Sequence, residues 1–138
     1  MQEELVIEAV VENLDTVNSF VHKAIEKFNC SNRTLMQLDV VVEEIFVNIA
    51  SYAYSPNTGL VKILLKTNTE PLSISLTFID SGVPYNPLEK SDPDINLSAD
   101  DRQIGGLGIF LTKNLVDNIH YQYIDKQNIL QFIKYLNK

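Results

Sequence analysis

Apolar positions along this chain recur with two periods, and the switches between them mark out its elements. Leu5-Val6-Ile7-Glu8-Ala9-Val10-Val11 is short and β-branched, which predicts a first strand. Asn13 or Asp15 then caps a helix to about Phe28, with Val17, Phe20, Val21, Ala24, Ile25 and Phe28 on one stripe. Ser31-Asn32-Arg33-Thr34 reads as a connector. A second helix follows to about Tyr54, burying a face of Leu38, Val41, Ile45, Ile49 and Tyr52. Pro56-Asn57-Thr58-Gly59 is a turn cluster. Leu60–Thr67 then sets Val61, Ile63 and Leu65 against Lys62 and Lys66, the alternation of a strand. Glu70-Pro71 turns the chain into Leu72–Asp80, where Leu72, Ile74, Leu76 and Phe78 oppose Ser73, Ser75 and Thr77.

Residues 81–104 show no sustained period, and a loop of that length in a compact domain is usually a lid or a binding loop. Gly105-Gly106-Leu107-Gly108 opens a helix over Ile109–Val116. Two strands, Ile119–Ile124 and Ile129–Leu136, close the chain around a turn of Asp125-Lys126-Gln127-Asn128. Helices on one face of a mixed, mostly antiparallel sheet best satisfy this order. The fold expected is an α/β two-layer sandwich with about three helices, a single domain over residues 1–138.

Composition narrows the functions. With 138 residues and 45% apolar content, the chain has material for a real core. A net charge of −7 disfavours a nucleic-acid surface and an anionic membrane, and suits a basic protein partner. Cys30 is the only cysteine, so no internal disulfide is available and a reducing compartment is expected. No apolar run reaches the ~20 residues of a membrane span, and no signal-peptide pattern stands at the N-terminus. The expected location is the cytoplasm.

Three places carry candidate chemistry. Glu44 and Asn48 stand four apart, one above the other, at the edge of the second helix's buried face. Glu43 lies about 140° around the helix from Asn48 and is not equivalent. The amide oxygen of Asn48 suits a hard cation such as magnesium, and the carboxylate of Glu44 suits a proton acceptor. The plainer alternative is a solvated helix face. Asp80 falls on the core-facing row of its strand, where a carboxylate is costly unless donors meet it. It is either a turn residue bonding nearby amides or an acceptor for a ligand donor such as a purine amine, with Gly82 letting backbone approach the ring. The glycines at 105, 106 and 108 form a flexible run ahead of a helix N-terminus, whose free amides can face an anion. His22 and His120 have no partners at metal-ligand spacing, and Tyr121, Tyr123, Phe132 and Tyr135 read as core and cross-strand pairs. Asp92, Asp94, Asp100 and Asp101 read as a solvated loop.

Glu44-x-x-x-Asn48, then Asp80-x-Gly82, then Gly105-Gly106-x-Gly108, in that order, resemble the N, G1 and G2 boxes of the GHKL ATPase superfamily. The short chain is similar to its bacterial branch of anti-sigma regulatory factors, which are serine/threonine-protein kinases of partner-switching systems. The stretches Val47–Tyr54, Asp80–Leu88 and Arg102–Phe110 agree beyond the boxes. The resemblance implies a Bergerat-type ATP-binding fold with ATP and Mg²⁺ as ligands. It implies that Asn48 ligates Mg²⁺, Asp80 takes the adenine amine with Gly82 beneath the ring, and Gly105, Gly106 and Gly108 form the hinge and phosphate-facing end of a lid. It makes Glu44 the general base. It also implies an anti-sigma-factor antagonist as partner, a sigma factor as a second one, and a homodimer. Either phosphoryl transfer to the antagonist or nucleotide-gated sequestration without transfer fits these residues. The chain departs from the family at three points. Tyr52 stands where some members have His, Ile129-Leu130-Gln131 lacks a threonine often found on the last strand, and Arg102 is the only arginine in the lid, with Lys90 its only lysine.

Overall fold

In the computed structural model, residues 2–89 and 106–137 are described. Strand β1 (Gln2–Glu8) starts earlier than its apolar run suggests and stops before Ala9. Asn13 sits at the N-cap of α1 (Leu14–Ile25), yet its side chain donates to the Glu8 carbonyl instead of capping the helix. The last turn expected of α1, Glu26–Phe28, tightens to a 3-10 turn that ends at Asn29 with φ 52°. Helix α2 (Asn32–Asn48) begins inside the expected connector, because the Ser31 hydroxyl accepts the Thr34 amide at 3.1 Å and caps it.

The sheet is assembled from β1, β2 (Leu60–Thr69), β3 (Leu72–Asp80), β4 (Asn118–Ile124) and β5 (Gln127–Tyr135). Its order is β1-β2-β3-β5-β4, and every pairing is antiparallel. The strand parity explains the layers. Val61, Ile63 and Leu65 pair across with Phe78, Leu76 and their neighbours on one face, and Leu130 and Phe132 extend the same rows. These residues meet Val17, Val21 and Ile25 of α1 and Leu38, Val41 and Ile45 of α2, all buried. Each such Leu, Ile or Phe contributes roughly 1.5–3 kcal/mol by leaving water. The other face carries Lys62, Lys66, Ser75 and Thr77, with Gln131 donating to both hydroxyls at 3.2 and 3.1 Å. The expected two-layer α/β sandwich is the fold, with an all-antiparallel sheet in place of a mixed one.

Two local departures shape the site. Helix α2 does not run on to Tyr54 in regular form: after Asn48 it widens into a π-helical turn, Ile49–Ala53. The wider turn shifts the helical phase, so Tyr52, expected in the buried stripe, is 44% exposed. Helix α3 (Gly106–Leu115) begins at Gly106, three residues before the expected start, so two of the glycines lie inside its first turn. Gly105 and the acids Asp92, Asp94, Asp100 and Asp101 lie outside the described residues.

Candidate functional site

Between the end of α2, the end of β3 and the start of β5 lies a cavity with largely apolar walls. Ile45, Ile49, Ala53, Phe78, Ile109 and Leu130 supply most of them. Polar groups enter at a few points: Asn48 from the helix layer, Asp80, Tyr121 and Asn128 from the sheet, and the tyrosines Tyr52 and Tyr85. An apolar slot with a few convergent polar groups is the form a small-molecule site takes. The carboxamide at 48 and the carboxylate at 80 open onto this same space, although 32 positions separate them in the chain.

Asn48 is the last α-helical residue before the π-helical turn, a place where functional residues often stand. Its Nδ2 donates to Glu44 Oε1 at 3.2 Å, so the pair expected from spacing is in contact. Its Oδ1 accepts no hydrogen bond from the described residues. Glu44 is half-buried and is not part of the cavity wall; it meets the cavity through Asn48. Glu43 is exposed, as its phase requires.

Asp80 is 5% exposed and ends the core-facing row of β3. Both hydrogen bonds it accepts fall on Oδ1, from the Gly82 amide and from Asn128 Nδ2, each at 2.9 Å. The first is the local turn bond that the plainer reading of Asp80 expects. Burial raises the carboxyl above the ordinary aspartate range, and the bonds from Asn128 and Gly82 offset part of that rise. Gly82 lies against the π-helical turn. A Cβ there would come within 2.1 Å of the Ala53 carbonyl oxygen, and Val83 N–H donates to that carbonyl at 2.8 Å. The glycine therefore lets the 81–85 loop press against the π-helical turn. Tyr54 supports this seat, donating to the Leu60 carbonyl at 2.6 Å and accepting the Ser81 amide at 2.8 Å. Tyr52 and Tyr85 stack at the cavity rim with centroids 5.7 Å apart.

Asn128 was hidden in the sequence. Read as a turn residue, it is instead the second residue of β5, directly opposite Asp80 in the ladder, and 5% exposed. Its Nδ2 donates to Asp80 and, at 2.8 Å, to the Val83 carbonyl. Its Oδ1 accepts the Tyr85 amide at 3.1 Å and the Tyr121 hydroxyl. Tyr121 is thus a cavity group as well as a packing residue. Gly106 and Gly108 occupy the first turn of α3, where helical amides lack intrahelical acceptors. Among the described residues no cluster of three or more His, Cys, Asp or Glu side chains could hold a metal. His22 pairs with Asp39 at 2.6 Å on the α1–α2 surface.

A sheet covered on one face by helices, with a carboxamide and a carboxylate sharing one apolar cavity between the layers, has the form of a small-molecule-binding domain. The chain belongs to the histidine kinase-like ATPase domain family, whose profile matches residues 7–134. It is 31% identical over 102 residues to the serine/threonine-protein kinase BtrW of Bordetella bronchiseptica, a match covering 72% of this chain and 70% of that protein. The RsbU and RsbW domains of Rv1364c from Mycobacterium tuberculosis superpose with a TM-score of 0.67 over 99% of this chain. Identity there is 9% and the chain spans 32% of that longer one, so this likeness is one of fold. Family membership carries nucleotide binding with it. No helix among the described residues is long and apolar enough to cross a membrane.

Proposed function

We propose that this protein binds Mg·ATP in the cavity between α2 and the sheet and transfers the γ-phosphoryl group to a serine of a protein partner. The partner class is an anti-sigma-factor antagonist in a partner-switching system, with a sigma factor held in alternation. The observation that carries the reading is the meeting of Asn48 and Asp80 in one cavity, with Glu44 in contact with Asn48. The similarity to BtrW supports the kinase assignment.

Asp80 Oδ2 faces a ligand amine, and the apolar walls exclude water from the base. The first turn of α3, with Gly106 and Gly108, offers amides to phosphate oxygens. Asn48 fits a single-oxygen role toward Mg²⁺: Glu44 holds its Nδ2, which leaves Oδ1 for a cation. Without an acidic cluster among the described residues, phosphates and water would fill the remaining coordination positions. Bound there, Mg²⁺ neutralises phosphate charge. Glu44 accepts the proton of the partner's serine hydroxyl as the new O–P bond forms and the bond to the β-phosphate oxygen breaks, releasing ADP.

Glu44→Gln keeps the shape and the contact with Asn48 but removes the base. It is expected to bind Mg·ATP with unchanged affinity in calorimetry and to lose about 10²–10⁴-fold in phosphate transfer to the antagonist. Unchanged transfer removes Glu44 as the base. Native protein that binds ATP yet transfers nothing is instead a nucleotide-gated sequestering module.

A further inference from the structure

Asp80 needs a second residue to do what the nucleotide reading asks of it. A buried carboxylate on a strand end can rotate, and either oxygen could then face the cavity or the 81–85 loop. What prevents this is local and specific. One carboxamide, from a strand far away in sequence, meets Asp80, the 81–85 loop and Tyr121 together. Both Nδ2 hydrogens have acceptors, Asp80 Oδ1 at 2.9 Å and Val83 O at 2.8 Å. Oδ1 has two donors, the Tyr85 amide at 3.1 Å and the Tyr121 hydroxyl. An asparagine side chain offers two donors and two acceptor lone pairs, and here all are engaged. Asn128 therefore keeps no strong donor or acceptor for a ligand, although it lines the cavity.

We infer that Asn128 is a positioning residue that sets base specificity through Asp80: it holds Oδ1 and turns Oδ2 alone to the cavity as a fixed acceptor for an exocyclic amine. The same carboxamide fixes the loop carrying Tyr85, so the stacked Tyr52–Tyr85 rim is set by the same group. The inference rests on the nucleotide reading above and assigns what selects the base. A ligand with an amine at the purine 6-position is favoured, and one with a carbonyl oxygen there meets a carboxylate lone pair and is rejected.

The test compares Mg·ATP with Mg·ITP, which differ in that amine and carbonyl and in the N1 proton that accompanies the carbonyl, by calorimetry on the native chain and on Asn128→Ala. The native chain should prefer ATP by about tenfold or more. In Asn128→Ala, ATP affinity should fall by about tenfold while ITP affinity moves by no more than about threefold, so the preference collapses. A purely structural role would weaken both nucleotides alike, and that outcome overturns the inference, as does a preference that survives. A native chain that binds neither nucleotide overturns the nucleotide reading itself, and this inference with it. Should Asn128→Ala fail to fold, the native chain still decides. Both side-chain amide protons of Asn128 should exchange with water far more slowly than those of an exposed asparagine by NMR. Exchange at the exposed rate overturns the inference.

Discussion

At the scale of single residues, Asp80 places a carboxyl in the wall of the cavity with only 5% of its surface exposed. Its carboxyl is raised above the ordinary aspartate range by burial, so the folded chain binds the proton more tightly than the unfolded chain does. The stability this group contributes is therefore fully present below its unfolded pKa. It is lost as pH rises through the folded value, above which the buried group carries a destabilising charge. Asp80→Asn keeps an acceptor for Gly82 and Asn128 while removing that charge. It is expected to melt a few degrees above the native chain at pH 7, with the gain shrinking as pH falls into the ordinary aspartate range. The same variant should lose ATP binding. Melting curves across that pH range check it, and a gain that grows toward acid pH would contradict it. Asp80 was legible from parity alone, because Leu72, Ile74, Leu76 and Phe78 fix the face on which it falls. Asn128, which completes its surroundings, was not legible: asparagine after Asp125-Lys126-Gln127 looks like part of a turn, and nothing local announces a partner 48 positions back.

Among the elements, the β4–β5 hairpin decides most. Its connection is two residues, Asp125 and Lys126, with φ of 52° and 64°, the positive pair that a type I′ turn requires. Lysine is a poor occupant of that conformation, which costs a non-glycine L-residue about 1–2 kcal/mol. Lys126→Gly should relieve part of this and raise stability by about 0.5–1 kcal/mol after glycine's greater freedom in the unfolded chain is counted. Chemical denaturation checks it, and a lower midpoint would count against the turn assignment. Long periodic elements were readable: Leu72–Asp80 appears with the bounds its alternation predicts, and Leu38, Val41 and Ile45 are buried as their spacing requires. Ends were harder. Ser31 reads as part of a connector, yet its hydroxyl accepts the Thr34 amide and caps α2, and no period in the sequence marks a change from α to π geometry at Ile49.

For the molecule as a whole, both edge strands are largely exposed, and the 138 residues carry a net charge of −7. Like charges at that density oppose the compact state, and salt screens them as the Debye length falls from about 30 Å at 0.01 M to about 8 Å at 0.15 M. Sodium chloride across that range should raise the melting temperature by a few degrees in calorimetry. A fall would mean that attraction between opposite charges outweighs the net repulsion.

The short hairpin also governs what change this scaffold tolerates. Because side chains on a strand alternate, one residue inserted between Ile124 and Gln127 and not absorbed as a bulge in the turn would push every later position onto the opposite side. The carboxamide would leave its seat beside the carboxylate, and Ile129 would be driven inward where Leu130 and Phe132 belong in alternation. The cavity wall and the sheet packing would fail together. Length variation among related chains should accordingly avoid this bend and collect in connections whose parity nothing reads.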